Sequence, residues 1–112
     1  MKIFYNNEII CENALNANTP IKRIIGLLDR KDFNEIDGLL LSPCSQIHSI
    51  GMKFIFDAIY LDKYYKIIAL YKNIPKNRIL PYKIKAKYVL ELPANTITEK
   101  NLEIGDVLKI NN

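Results

Sequence analysis

Cys44, His48 and Met52 stand at i, i+4 and i+8. On a helix that spacing would place a thiol, an imidazole and a thioether on one face, a donor set suited to a soft metal such as Cu(I). A closed zinc site takes four ligands, and His48 is the sole histidine of the chain. Ser42-Pro43, Ser49 and Gly51 also argue against a helix here. No metal and no cofactor are therefore expected. Cys44 with His48 could instead be a nucleophile and its base, with Asp57 as third member. That chemistry needs a thiol of lowered pKa that substrate can reach. The plainer reading of His48 is an imidazole satisfied by a backbone carbonyl, so no residue is assigned as catalytic.

Asp57 lies among Phe54, Ile55, Phe56 and Ile59, which predicts burial. A buried carboxylate demands hydrogen bonds or a cation. Arg23 is the candidate partner, in an ion pair that would tie helix to sheet. Glu91, between Leu90 and Leu92, is a second acid in apolar company. The two acids would form a general acid/base pair only by meeting in one cleft. A structural role is the preferred expectation for both, because ion-pair networks also perturb carboxyl groups.

Lys83, Lys85 and Lys87 form a basic patch flanked by Tyr82 and Tyr88, with Lys72, Lys76 and Arg78 ahead of it. Basic residues interleaved with aromatics can bind single-stranded nucleic acid. The tyrosines alternate onto the face opposite the lysines, however, so the stripe reads as a solvated face guarding an edge strand. Nucleic acid is not the expected partner. The four glycines are isolated, and no phosphate-binding loop is present.

These residues must be positioned by short elements. Residues 2–5 and 8–11 read as strands around an Asn6-Asn7 turn, since Asn tolerates positive φ. The amphipathic helix spans residues 19–29. Thr19 is its N-cap, Pro20 its first residue, and Ile21, Ile24, Ile25 and Leu28 form an apolar stripe. Gly26 inside that helix predicts the close approach of another backbone. Residues 29–37 are a polar loop. Gly38–Leu41 reads as a buried strand ended by Ser42-Pro43. No element is assigned to residues 44–54. Phe56–Leu61 and residues 66–71 predict a second hairpin around residues 62–65, and residues 72–81 an irregular edge. Residues 82–92 alternate most cleanly and predict a strand ended by Pro93. A helical turn at residues 98–102 and a closing strand at 107–110 follow. Many short strands with regular turn signals predict a mainly β, sandwich- or barrel-like single domain with one short amphipathic helix.

The composition agrees. The chain has 112 residues, 49% hydrophobic and 25% charged, enough for one domain with a real core. A net charge of +4 permits weak association with acidic surfaces without arguing for it. The N-terminal residues lack the pattern of a signal peptide, and no run of about 18 apolar residues predicts a membrane span. Two cysteines give no disulfide framework. The expected location is the cytoplasm, with both thiols reduced.

Four blocks in order resemble the family called domain of unknown function 192. They are Arg23-Ile24-Ile25-Gly26-Leu27-Leu28-Asp29-Arg30; the run from Gly38 through Ser42-Pro43-Cys44 to His48-Ser49; Met52-Lys53-Phe54-Ile55-Phe56-Asp57 continuing to Ile59-Tyr60-Leu61-Asp62; and Val89-Leu90-Glu91-Leu92-Pro93-Ala94 with Gly105-Asp106. The resemblance covers about residues 17–110. Two positions depart from the family pattern. Asn95 stands where glycine is favoured, and Ile55-Phe56 precedes Asp57 where proline is common. The resemblance implies a compact β-sandwich-like domain with a small helical element and implies no established activity. The leading expectation is a non-enzymatic binding module for a protein or small-molecule partner, with Arg23, Cys44, His48, Met52 and Asp57 as its candidate ligand site. The alternatives are a small enzyme or metal-binding protein using Cys44, His48 and Asp57, and a weak nucleic-acid binder.

Overall fold

Asn6 and Asn7 both adopt positive φ, 54° and 67°, the backbone that a two-residue turn between antiparallel strands requires. They close the expected hairpin of β1 (Lys2–Tyr5) and β2 (Glu8–Cys11) in a computed structural model that describes residues 1–111. The last strand, β8 (Lys109–Asn111), pairs with the other edge of β1 and completes a three-stranded sheet.

The larger sheet has five strands. β3 (Ala14–Ala17) lies parallel to β4 (Gly38–Leu41), and β7 (Tyr88–Pro93) runs antiparallel between β4 and β5 (Phe56–Leu61). β6 (Ile67–Ile74) returns from β5 as the far edge, giving the order β3-β4-β7-β5-β6. The mainly β expectation holds, as two sheets rather than a closed barrel. Both faces of the larger sheet are covered, which is why β4 and β5 are buried at every position. On one face Leu40, Ile59, Leu90 and Leu92 pack with Ile3, Ile10 and Ile97, which come from the smaller sheet and α2 (Thr96–Glu99). On the other, Leu39, Leu41, Ala58 and Tyr60 pack with Leu27, Ile36, Ile47, Met52 and Leu80, carried by irregular chain.

Several expectations are corrected. The helix α1 spans only Pro20–Ile25. Thr19 caps it as expected, its hydroxyl accepting from the Lys22 amide at 3.2 Å. Gly26 does not sit inside the helix under another backbone. It ends the helix at φ +47°, and a Cβ there would meet nothing closer than 3.5 Å, so glycine answers the backbone conformation and not crowding. The apolar stripe is not buried either: Ile21 and Ile24 are 71% and 74% exposed. The chain turns away after six helical residues, and Leu27 and Leu28 reach the core from the turn that follows.

The expected strand at residues 82–92 begins only at Tyr88. Residues 82–87 are irregular chain around a turn at Ile84-Lys85, with the Ala86 amide donating to the Lys83 carbonyl, so Lys83, Lys85 and Lys87 do not line one face of a strand. β3 had no counterpart in the sequence reading, and α2 begins two residues ahead of the expected turn. Among the described residues, no helix is long and apolar enough to cross a membrane.

Candidate functional site

Glu91 is set by its register in the central strand. It pairs with Leu39 of β4 and Ala58 of β5, so its side chain projects to the face that irregular chain covers. Asp57 pairs with Leu92, one residue on, and projects to the opposite face. The two acids therefore lie on opposite sides of one sheet, and the paired acid/base reading falls.

Asp57 is fully buried, and its partners are backbone amides: Asn73 N–H donates to Oδ1 at 2.8 Å and Ile97 N–H to Oδ2 at 2.9 Å. The register between β5 and β6 shifts at this point, and Asn73 there adopts φ +50°. The resulting bulge turns its amide to the carboxylate. Ile97 lies in the first turn of α2, so Asp57 also caps that helix from a neighbouring strand. The expected Arg23–Asp57 ion pair is absent because Arg23 belongs to the other face. Its Nη1 donates to the Ser42 carbonyl at 3.1 Å. Among the described residues, the ion pair seen is the surface contact Lys100–Glu8 at 3.7 Å.

Between α1 and residues 43–52 lies a cleft of about 590 Å³, within the range of small-molecule sites. Its lining unites Arg23, Cys44, His48 and Met52 from the expected set and adds Glu91. Asp57 is excluded. Cys44, His48 and Met52 reach the cleft without a helix, since their segment is irregular. That segment is held to residues 75–87 by cross-links. The Ser45 hydroxyl donates to the Ala86 carbonyl at 2.7 Å, the Gln46 amide to the Leu80 carbonyl at 2.8 Å, and the Ser49 hydroxyl to the Pro75 carbonyl at 2.6 Å. The Tyr60 hydroxyl donates to the Pro81 carbonyl at 3.0 Å and accepts from the Ile47 amide, fastening the same segment to β5.

The site is electrostatically uneven. Burial pushes the Glu91 carboxyl up to about 8, with only 5% of the residue exposed. No described residue donates a hydrogen bond to it, yet no fully sealed side-chain oxygen or nitrogen lacks a partner. The small accessibility it retains therefore includes its oxygens, at the cleft. Burial also pushes the Cys44 thiol up, with Glu91 adding to the shift and Arg23 opposing it. The thiol donates to the Gln46 carbonyl at 3.3 Å. His48 is exposed, and its Nδ1 accepts from the Ile50 amide at 3.2 Å. Thiol and imidazole are thus engaged separately, and Asp57 is out of reach as a third member. No cluster of three metal-ligating side chains forms among the described residues.

Glu91 is the cleft residue that the candidate set left out. Its sequence signal was an acid between apolar neighbours in a strand, and that signal was equally strong for Asp57.

No curated protein matches the chain. Two solved structures share the fold. One is a protein of unknown function from Novosphingobium aromaticivorans, with TM-score 0.83 and 15% identity over 97% of this chain and 82% of that one. The other, from Sinorhizobium meliloti, is provisionally described as a transcription regulator, with TM-score 0.80 and 18% identity over 96% of this chain and 89% of that one. The family described as an uncharacterized ACR, domain of unknown function 192, matches residues 6–110, and with the ordered blocks from Arg23 to Asp106 in place the chain belongs to that family.

Proposed function

We propose that this protein is a non-enzymatic binding module of the cytoplasm that holds a small ligand in the cleft between α1 and residues 43–52. The observation that carries the reading is Glu91, a buried carboxyl that lines that cleft and has no partner among the described residues. Apolar walls from Leu28, Leu41, Ile47 and Met52 with a few convergent polar groups fit a ligand pocket. The separate engagement of Cys44 and His48 favours binding over nucleophilic catalysis. Two unpaired cysteines suit a reducing compartment.

A fragment screen followed by amide chemical shifts tests this. Bound fragments are expected to perturb Leu27, Leu28, residues 44–48 and Glu91, and Leu28→Trp, which fills the cleft, is expected to abolish them. Fragments that bind only elsewhere, or binding unaffected by Leu28→Trp in a folded protein, would overturn the reading.

A further inference from the structure

Glu91 is the single carboxyl among the residues lining the cleft. A carboxylate enclosed by apolar side chains stays ionised only with a cation or several donors beside it. Arg23 lines the same cleft, yet among the described residues no group forms an ion pair or hydrogen bond with Glu91. From α1, Arg23 donates to the Ser42 carbonyl; from residues 43–52, the Cys44 thiol donates to the Gln46 carbonyl and His48 is exposed, its Nδ1 accepting from the Ile50 amide; from β5, the Tyr60 hydroxyl donates to the Pro81 carbonyl. Burial pushes the Glu91 carboxyl up. Among the described residues, the cleft therefore holds an acid without an ion-pair partner.

Resting on the cleft as the binding site, we propose that its ligand is a protonated alkylamine, with the nitrogen on Glu91 and the carbon chain along Leu28, Leu41 and Met52. The amine arrives as an ammonium ion, the Glu91 carboxylic acid loses its proton to the buffer, and a carboxylate–ammonium pair forms. No covalent bond other than that O–H breaks. One proton is released per ligand bound near neutral pH, so affinity rises with pH until the free acid itself ionises, near 8. A free alkylamine and a lysine side chain of a peptide share this chemistry.

Calorimetry on the whole protein decides. n-Hexylamine is titrated at about pH 6.5 and about pH 7.5, in two buffers of different ionisation heat. Hexanoate and 1-hexanol serve as charge controls, and a lysine-containing heptapeptide with its norleucine analogue as the second source. Hexylamine is expected to bind at least about tenfold more tightly than either control, to gain roughly tenfold between the two pH values, and to release about one proton. Glu91→Gln is expected to remove the preference and the proton release while 1-hexanol binding persists. A peptide that outbinds hexylamine and depends on its lysine identifies the side-chain source, and the reverse order identifies a free amine. Hexanoate binding as tightly as hexylamine, or hexylamine binding without proton release, overturns the inference and leaves the cleft standing as a binding site. If none of these probes binds and fragments also miss the cleft, both fall.

Discussion

At the scale of single residues, the two buried acids have opposite fates because their hydrogen-bonding environments differ. Asp57 accepts from two backbone amides, whereas Glu91 accepts from no described residue. Asp57→Ala would strand both amides and is expected to cost about 2–5 kcal/mol in denaturant unfolding, with Asp57→Asn costing less. Glu91 acts in the other direction. Its carboxyl moves from an ordinary value of 4.5 to about 8 in the folded protein. Between those values the native state holds a proton that the unfolded chain has lost. Its contribution to stability is thus complete below about 4.5, falls as pH rises, and levels off above about 8. Urea unfolding across that window should show a loss approaching about 1.4 kcal/mol per pH unit from this group. Glu91→Gln should flatten that slope, and a Gln variant with the wild-type slope would count against burial as the cause.

At the scale of elements, the strands and turns with local causes were legible. The Asn6-Asn7 hairpin, Gly38–Leu41, Phe56–Leu61 and the Thr19-Pro20 helix start follow from φ preferences, capping and short apolar runs bounded by turn residues. Asn95 adopts φ +74° and so keeps the left-handed turn where the family favours glycine. The failures lie where pairing is remote. Leu15 and the asparagines around it give no strand signal, and β3 exists because β4 offers it an edge. Gly38 marks this junction, since a Cβ there would come within 2.8 Å of the Cys11 Sγ. Gly38→Ala is expected to destabilise by about 1–3 kcal/mol through overpacking. In the Cys11→Ala background the same change should cost less, and a double-mutant cycle reads the difference.

At the scale of the whole molecule, one five-stranded sheet separates two apolar layers, and β7 lies at its centre. Amide exchange should therefore be slowest in β7 and β5, faster in the edges β3 and β6, and fastest in α1, none of whose residues is buried. Protection of α1 equal to that of β7 would contradict this ordering. The same sheet keeps the structural acid and the cleft acid apart: Asp57 serves the layer beneath α2, and Glu91 serves the cleft beside α1.

By itself the sequence determined the mainly β class, the turn asparagines, the helix cap and the cluster of Arg23, Cys44, His48 and Met52 as residues to examine. Those features depend on local backbone preferences or on residue type. Tertiary structure alone decided which face each residue would meet. A strand's side chains alternate, so the pairing of Glu91 with Ala58 and of Asp57 with Leu92 sends the two acids to opposite sides. That register is fixed by packing between segments more than thirty residues apart. Alternation within either strand carries no information about it, which is why Asp57 was expected in the site and Glu91 was not.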